Sequence, residues 1–295
     1  MKNLWLIQSN GFRDSYLFEI AETLNRFNIE FKDFGVVKNN SITNLTEILK
    51  TEYADYNFIT RGGTKFLGIL EKLREENKNL SHLDNKLPKE IIDNSDFWID
   101  KLLNSVDYDV ERFDQQNYTL LDLPLLNSDA NYFDYNDIKD YEFSKETFIK
   151  PSRDLKSFNG GVIYAGETIQ NYIARTGYHS PNIKTEKIVV SDIKEIQEEY
   201  RFFMYKNKIL GCSRYMLDSE VNPSDFVPEE LKNCALEYAE LYNPAELYVM
   251  DLAVTPEGIK IVEYNCWNAS GFYHCNIRDI IFQINEIKLK GNKNG

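Results

Sequence analysis

Three oxygen-bearing residues near the end of the chain have the types and spacing to hold a hard cation: Asp251, then Glu263 with Asn265. Glu263 and Asn265 are two apart in a strand-like stretch, so their side chains leave the same face. A turn at Pro256-Glu257-Gly258 folds that strand back and lets Asp251 lie opposite them. Two carboxylates and an amide oxygen suit magnesium, which takes one or two carboxylates and completes its shell with water and substrate phosphates. The competing account is a polar sheet face open to water. Against it, Met250, Leu252, Val262 and Tyr264 make the reverse face apolar, Ile261 adds apolar bulk beside Glu263, and Cys266 and Trp267 follow. Two carboxylates in such surroundings repel unless a cation lies between them.

Upstream, the chain supplies cations suited to phosphate. Lys150 ends the apolar run Phe148-Ile149, directly before Pro151, so its stem is embedded while its ammonium must stay charged. The loop from Ser152 to Gly161 adds Arg153 and Lys156 and closes on Gly160-Gly161, and glycines permit close backbone approach to phosphate. Taken alone, such a loop is equally what a plain hairpin looks like. Arg201 and Arg214 fall on the two arms of a hairpin turned at Lys206-Asn207, each with apolar neighbours. A guanidinium there needs an anionic partner. Glu198 or Glu199 supplies it in a structural account, and a phosphate in a functional one.

The elements that must position these residues follow from hydrophobic periodicity. Residues 3–8, 29–37 and 56–60 have strand character and alternate with helical patterns at 12–27 and 45–53, which predicts a small α/β lobe with a parallel sheet. Arg61-Gly62-Gly63 stands where the third strand ends, the place where open α/β sheets bind ligands or simply turn. From Glu71 to Phe143 the pattern weakens, with helical patches at 70–75 and 88–106, an apolar run at Leu120–Leu126, and an acidic, polar stretch from Asn127 to Asp140. Strand character returns at 148–151, 161–164, 187–191, 199–205 and 208–216. A helix at 228–242, two strands at 247–254 and 259–264, and a helix at 277–287 complete the chain.

Composition bounds the function. With 295 residues, 42% hydrophobic and 14% aromatic, the chain has enough apolar surface for two or three lobes. Asp and Glu number 47 against 34 Lys and Arg, a formal charge of -13, which disfavours nucleic acid and anionic lipid as bulk partners. No signal-peptide core or membrane span is legible, so a cytoplasmic location is expected. Cys212, Cys234, Cys266 and Cys275 lack the paired spacing of a metal knuckle and are expected to be reduced thiols.

A strand ending in lysine, a glycine-containing loop, the strand Ile188-Val189-Val190 entering an acidic stretch, and a carboxylate hairpin with Glu-x-Asn together resemble the ATP-grasp superfamily over roughly residues 140–285. More narrowly, Phe148 to Pro151, Glu198 to Phe203 and Val262 to Asn265 look like an arginine-rich bacterial and phage branch of it. The resemblance implies an α/β (α+β) ATP-grasp fold with a pre-ATP-grasp-like N-terminal lobe at 1–110, a connecting region at 111–146 and the nucleotide- and metal-binding region at 147–290. It implies that Lys150 holds ATP phosphates and that Lys156 or Arg153 closes over them. Val189, Val190 and Ser191 would line adenine, with Asp192 or Glu195 near the ribose, and Asp251, Glu263 and Asn265 would hold Mg2+.

Such enzymes typically carry an arginine just before the first metal aspartate, where this chain has Val249 and Met250. Arg201 and Arg214 are its expected substitutes, catalytic together with Lys156, and Asn268, Ser270, Gly271 and Tyr273 would line the acceptor side. The implied activity is ATP-dependent ligation of a small-molecule or peptide carboxylate to an amine through an acyl-phosphate. The rival expectations are a small-molecule kinase and a nucleotide-binding sensor without turnover.

Overall fold

The computed structural model describes residues 2–10, 16–37, 40–75, 79–154, 157–177 and 181–291. The chain divides into two compact units, Met1–Tyr108 with Cys266–Gly295, and Asp109–Asn265. No helix among the described residues is long and apolar enough to cross a membrane.

In the first unit, β1 (Asn3–Asn10), β2 (Phe31–Gly35) and β3 (Asn57–Arg61) form a parallel sheet in the order β2-β1-β3. The middle strand reads Leu4-Trp5-Leu6-Ile7 without polar alternation and is buried along that run, as a parallel strand covered on both faces must be. Helices at Leu17–Arg26, Thr64–Glu75, Ser95–Val106 and Ile277–Gly291 belong to the same unit. The last of these is locked to β1 by Asn285, whose side-chain oxygen accepts from Asn3 Nδ2 at 2.9 Å and Trp5 Nε1 at 3.2 Å.

Arg61, at the end of β3, is wholly buried. Its guanidinium lies 5.3 Å from the Trp267 ring and 4.8 Å from the Phe272 ring, and donates to the carbonyls of Trp267 and Ser270. This arginine at the carboxyl end of the sheet therefore binds the chain's own backbone.

The second unit holds two sheets. β4 (Asn131–Asp134), β5 (Thr147–Pro151), β6 (Gly161–Ile163) and β7 (Lys187–Ser191) form an antiparallel sheet in the order β4-β7-β5-β6. One face buries Ile149, Ile163 and Ile188 against Phe158 and the helix Ile169–Thr176, which presents Ile169, Tyr172 and Ile173. That helix begins where the Thr168 hydroxyl accepts from the Asn171 N–H and ends at Gly177, whose φ of +76° favours glycine.

β8 (Glu198–Tyr205), β9 (Lys208–Leu217), β10 (Glu220–Ser224), β11 (Leu247–Thr255) and β12 (Gly258–Cys266) form the second sheet in the order β10-β9-β8-β11-β12. The helix Glu229–Leu241 packs on β9 and β11. Gly258, with φ of +108°, makes the turn between β11 and β12. Behind β12, Tyr264 is ringed by Tyr118, Tyr242 and Tyr248 at centroid distances of 5.2, 5.4 and 6.0 Å.

The stretch expected to be a connection contributes structure of its own. Besides β4, it runs beside β12, where Ile261 N–H donates to Pro124 O at 2.9 Å and Leu126 N–H to Ile261 O at 2.8 Å. Leu120, in the same apolar run, is exposed.

Candidate active site

Strand register decides which side chains share a face. In the smaller sheet of the second unit, Lys150 is opposite Val189, and Ile149 is opposite Val190. Lys150, Val189 and Ser191 therefore look one way, while Ile149 and Val190 face the helix-covered core. In the larger sheet, Arg201 is opposite Asp251.

These registers bring five of the candidate residues into one chain of polar contacts. The Lys150 ammonium donates to Glu263 Oε2 at 2.7 Å, with the lysine side chain only 10% exposed. Arg201 grips Asp251 with both ends of its fork, Nε to Oδ1 at 2.8 Å and Nη2 to Oδ2 at 2.7 Å, and their side chains are 9% and 1% exposed. Between the two ion pairs stands Asn265, whose Nδ2 donates to Asp251 Oδ2 at 3.1 Å and to Glu263 Oε1 at 2.9 Å. Two cations and two anions thus balance inside a largely buried cluster, which is how charges survive desolvation.

The same carboxylates bear on metal binding. Among the described residues no group of three or more His, Cys, Asp or Glu is arranged to hold a metal ion. Asp251 and Glu263 number two, and their third partner is an amide. Both carboxylates reach one small donor, the Asn265 amide, so each has an oxygen to offer a small cation held between them. Turning the amide over presents its own oxygen as well. The donor set is hard, and it fits magnesium, which is content with two carboxylates.

The glycine loop approaches Lys150 closely. A Cβ added to Gly160 would lie 2.8 Å from Lys150 Cβ, and one added to Gly161 would lie 2.7 Å from the Tyr172 hydroxyl. Gly160 is therefore required by space, against the stem of the lysine itself, whereas at Gly161 only the far end of the Tyr172 side chain is in the way. Arg153 is held at the base of this loop, with Nε donating to Glu186 at 3.2 Å and Nη2 to Thr185 O at 3.0 Å. Lys156, expected to close over phosphate, lies outside the described residues.

Several expected residues stand elsewhere. Val190 points to the core face, so its side chain cannot line a site on the Lys150 face. A cavity of about 480 Å³ opens on that opposite face, between Phe133, Ile138, Tyr141, Phe143 and Val190, with Lys145 and Asp192 also lining it. Asp192 is exposed and ion-paired with Lys145 at 2.5 Å, whose hydrogen bond and charge hold the carboxyl below its usual range. Ser191 is buried on the Lys150 face, its hydroxyl donating to Asn127 Oδ1 at 3.1 Å.

Arg214 is not brought to the cluster. Arg201 is opposite Ser213, and a register shift puts Arg214 opposite Tyr200, on the other face of β8. There it bonds Glu198 at 3.2 Å and the Asn222 side chain at 3.0 Å. In the first unit, Asn268 is wholly buried and donates to Val106 O at 2.7 Å, and the Ser270 hydroxyl donates to Cys266 O at 2.7 Å, so both brace backbone.

Two residues of the cluster's surroundings carry no obvious motif. The Tyr215 ring lies 5.5 Å from the Arg201 guanidinium, and its hydroxyl donates to Glu199. Burial pushes the Glu199 carboxyl up, partly opposed by that bond from Tyr215, and pushes the Tyr215 hydroxyl well up. Glu199 is two residues before Arg201 and so on its face, a period-two signal available in the sequence. Tyr215 reaches that face through the register shift in β9, which no sequence pattern announces.

Residues 114–284 match the family model for the ATP-grasp domain, R2K clade family 3, over more than half of the chain. The chain belongs to that family. No curated protein sequence matches it. Solved structures align along nearly its whole length at low identity. The ATP-grasp ligase PsnB complexed with minimal precursor shares 10% identity over 98% of this chain and 99% of that one, with a TM-score of 0.54. The D-alanine–D-alanine ligase from Bacillus anthracis complexed with ATP shares 11% over 100% and 99%, with a TM-score of 0.55. At such identity the likeness is one of fold, and it is the ATP-grasp fold. The stretch matched to the ATP-grasp domain contains Lys150, Arg201, Asp251, Glu263 and Asn265, and it begins upstream of β4.

Proposed function

We propose that the chain is an ATP-dependent carboxylate–amine ligase that works through an acyl-phosphate. The observation that carries this reading is the contact chain Lys150–Glu263–Asn265–Asp251–Arg201, in which two phosphate-seeking cations and two metal-seeking carboxylates converge. PsnB, of the same fold, has been solved with minimal precursor, Mg and ADP, which supports both the nucleotide and a peptide as a class of carboxylate donor or amine acceptor.

In this mechanism Lys150 and Arg201 exchange their carboxylate partners for phosphate oxygens, and Val189 and Ser191 present the strand along which adenine lies. Asp251, Glu263 and Asn265 would hold magnesium, which would supply neutralisation of the phosphate charge. The substrate carboxylate attacks the γ-phosphorus and ADP leaves. The amine then attacks the acyl carbon, phosphate departs, and the amine proton is lost to solvent. Catalysis of such a transfer is mainly positioning and electrostatics, which a rigid, preorganised guanidinium provides. Arg201 is preorganised by the Tyr215 ring on one side and by its strand opposite Asp251 on the other.

The test is incubation with ATP, Mg2+ and pooled carboxylates and amines, including peptides, followed by mass spectrometry. An ATP-dependent product whose mass equals the sum of its two parts less one water is expected. A phosphorylated small molecule without an amide product would replace this reading by a kinase. ATP binding with no product and no phosphate release would replace it by a sensor.

A further inference from the structure

Glu186 has no part in the chemistry above, yet its side chain has no solvent exposure. It immediately precedes β7 and accepts from both limbs of the loop that joins β5 to β6. On the β5 side the donor is Arg153 Nε at 3.2 Å, and on the β6 side it is the Ser157 hydroxyl. Arg153 also donates from Nη2 to Thr185 O at 3.0 Å, so the guanidinium is fixed against the backbone beside Glu186.

Beyond Ser157 the loop continues under constraint. Phe158 is buried in the core, the Tyr172 hydroxyl donates to Asn159 O at 2.9 Å, and Gly160 lies against Lys150. On the other side Ser152 donates to Asp114, and its carbonyl accepts from Gln115 N–H at 2.9 Å. The loop therefore has fixed shoulders, and a single carboxylate joins them. Burying a carboxylate costs several kcal/mol unless its partners are well placed, so an apolar residue would hold two limbs together more cheaply. An apolar contact, however, is non-directional, whereas two hydrogen bonds to one carboxylate set a distance and an angle.

We infer that Glu186 is a positioning residue that fixes both limbs of the glycine loop and thereby sets the loop's backbone against the phosphate end of the nucleotide. This rests on the nucleotide reading of the Lys150 site and adds to it the residue that holds the loop. Its consequence is selective. Loss of Glu186 weakens what the loop touches, the phosphates, and spares adenosine, which lies along β7.

Glu186→Gln keeps the shape but puts an amide N–H2 where one acceptor stood, releasing one limb. The full chain and this variant are titrated by calorimetry with ADP plus Mg2+ and, separately, with adenosine. ADP affinity should fall about tenfold, the loss of one hydrogen bond to a charged group, while adenosine affinity stays within about twofold. Ser157→Ala, which frees the β6 limb alone, should move ADP in the same direction. A variant that binds ADP as tightly as the wild type overturns the inference, and so does one that loses ADP and adenosine by the same factor, the mark of a general structural role. A wild-type protein that binds neither ligand overturns the nucleotide reading, and this inference with it.

Discussion

Replacing Arg201 by Gln tests whether the buried ion pair with Asp251 is both structural and catalytic. The side chains are 9% and 1% exposed, and the fork makes bonds of 2.8 and 2.7 Å. Removing one partner of such a pair leaves the other charge desolvated, at a cost of about 3–5 kcal/mol. One kcal/mol moves Tm by roughly 2–4 °C in a protein unit of this size, so a fall of roughly 6–20 °C is expected. The cost resides in the stranded carboxylate. Arg201→Gln/Asp251→Asn should therefore regain at least half of the lost Tm, a coupling that a double-mutant cycle measures.

Turnover should behave differently, because the double variant lacks both the guanidinium and the carboxylate that the proposed function assigns to the metal. Phosphate release from ATP should be abolished in the single and the double variant alike. Arg214→Gln breaks bonds on the far face of β8, and its loss of turnover should be at least tenfold smaller than that of Arg201→Gln. Scanning calorimetry and a phosphate-release assay read these out. A fall in Tm below about 2 °C for Arg201→Gln, or a double variant less stable than the single one, would refute the reasoning from burial.

Other consequences follow from single contacts. Gly160→Ala drives a methyl to 2.8 Å from Lys150 Cβ, so ADP affinity measured by calorimetry should drop while far-UV circular dichroism is unchanged. Lys150→Met keeps the stem and removes the ammonium, and the Kd for ADP with Mg2+ should rise by roughly 10–100-fold, the worth of a charged hydrogen bond. Glu199 is held above the usual carboxylate range by burial, so the folded protein keeps its proton to higher pH than the unfolded chain does. Its contribution is best below the ordinary carboxylate pKa and is lost as pH rises through the raised one. Glu199→Gln should therefore raise Tm at pH 8, with the gain closing as pH falls to about 4. Arg61→Leu deprives the carbonyls of Trp267 and Ser270 of their buried donor, and Tm should fall as for the loss of two buried hydrogen bonds, about 2–6 kcal/mol.

Much of the fold was legible where burial follows a simple period. The strands at 187–191 and 247–255, the helix at 229–241 and the alternation of β1 to β3 all show unbroken apolar runs or clean amphipathic spacing. The strand Asn131–Asp134 was not, because its residues are mostly exposed and its pairing with β7 is a backbone matter. The helix Ile169–Thr176 could have been found, since Thr168 is a cap, Ile169, Tyr172 and Ile173 share a face, and Gly177 ends it. At the site, chemistry by residue type pointed to Lys150, Asp251, Glu263 and Asn265, which lie on strands whose faces follow from period two. Arg201 and Arg214 looked equivalent in sequence, and a register shift in β9 separates them. Val190 shows the same limit from the other side. A run of three residues cannot all face one site in a strand, and only the pairing with β5 says which one turns away.

The charge balance of the cluster constrains how it can be loaded. Lys150 and Arg201 each neutralise one carboxylate, so the buried group is satisfied as it stands. A nucleotide that took both cations would strand Asp251 and Glu263 facing each other across Asn265, two desolvated anions within reach of one amide. A divalent ion alone would crowd positive charge beside a lysine and an arginine whose carboxylates it had taken. On the proposed function, each half-loaded state would leave buried charge unpaired, and the two ligands together would restore balance, phosphates to the cations and metal to the carboxylates. That reading predicts that metal and nucleotide favour each other's binding by the same factor, since linkage is reciprocal, which calorimetric titration of ADP with and without Mg2+ checks. The same arrangement explains why an amide, and not a third carboxylate, stands between Asp251 and Glu263. A neutral group donates to both carboxylates in the resting cluster, whereas another anion there would set a third buried negative charge against the two cations.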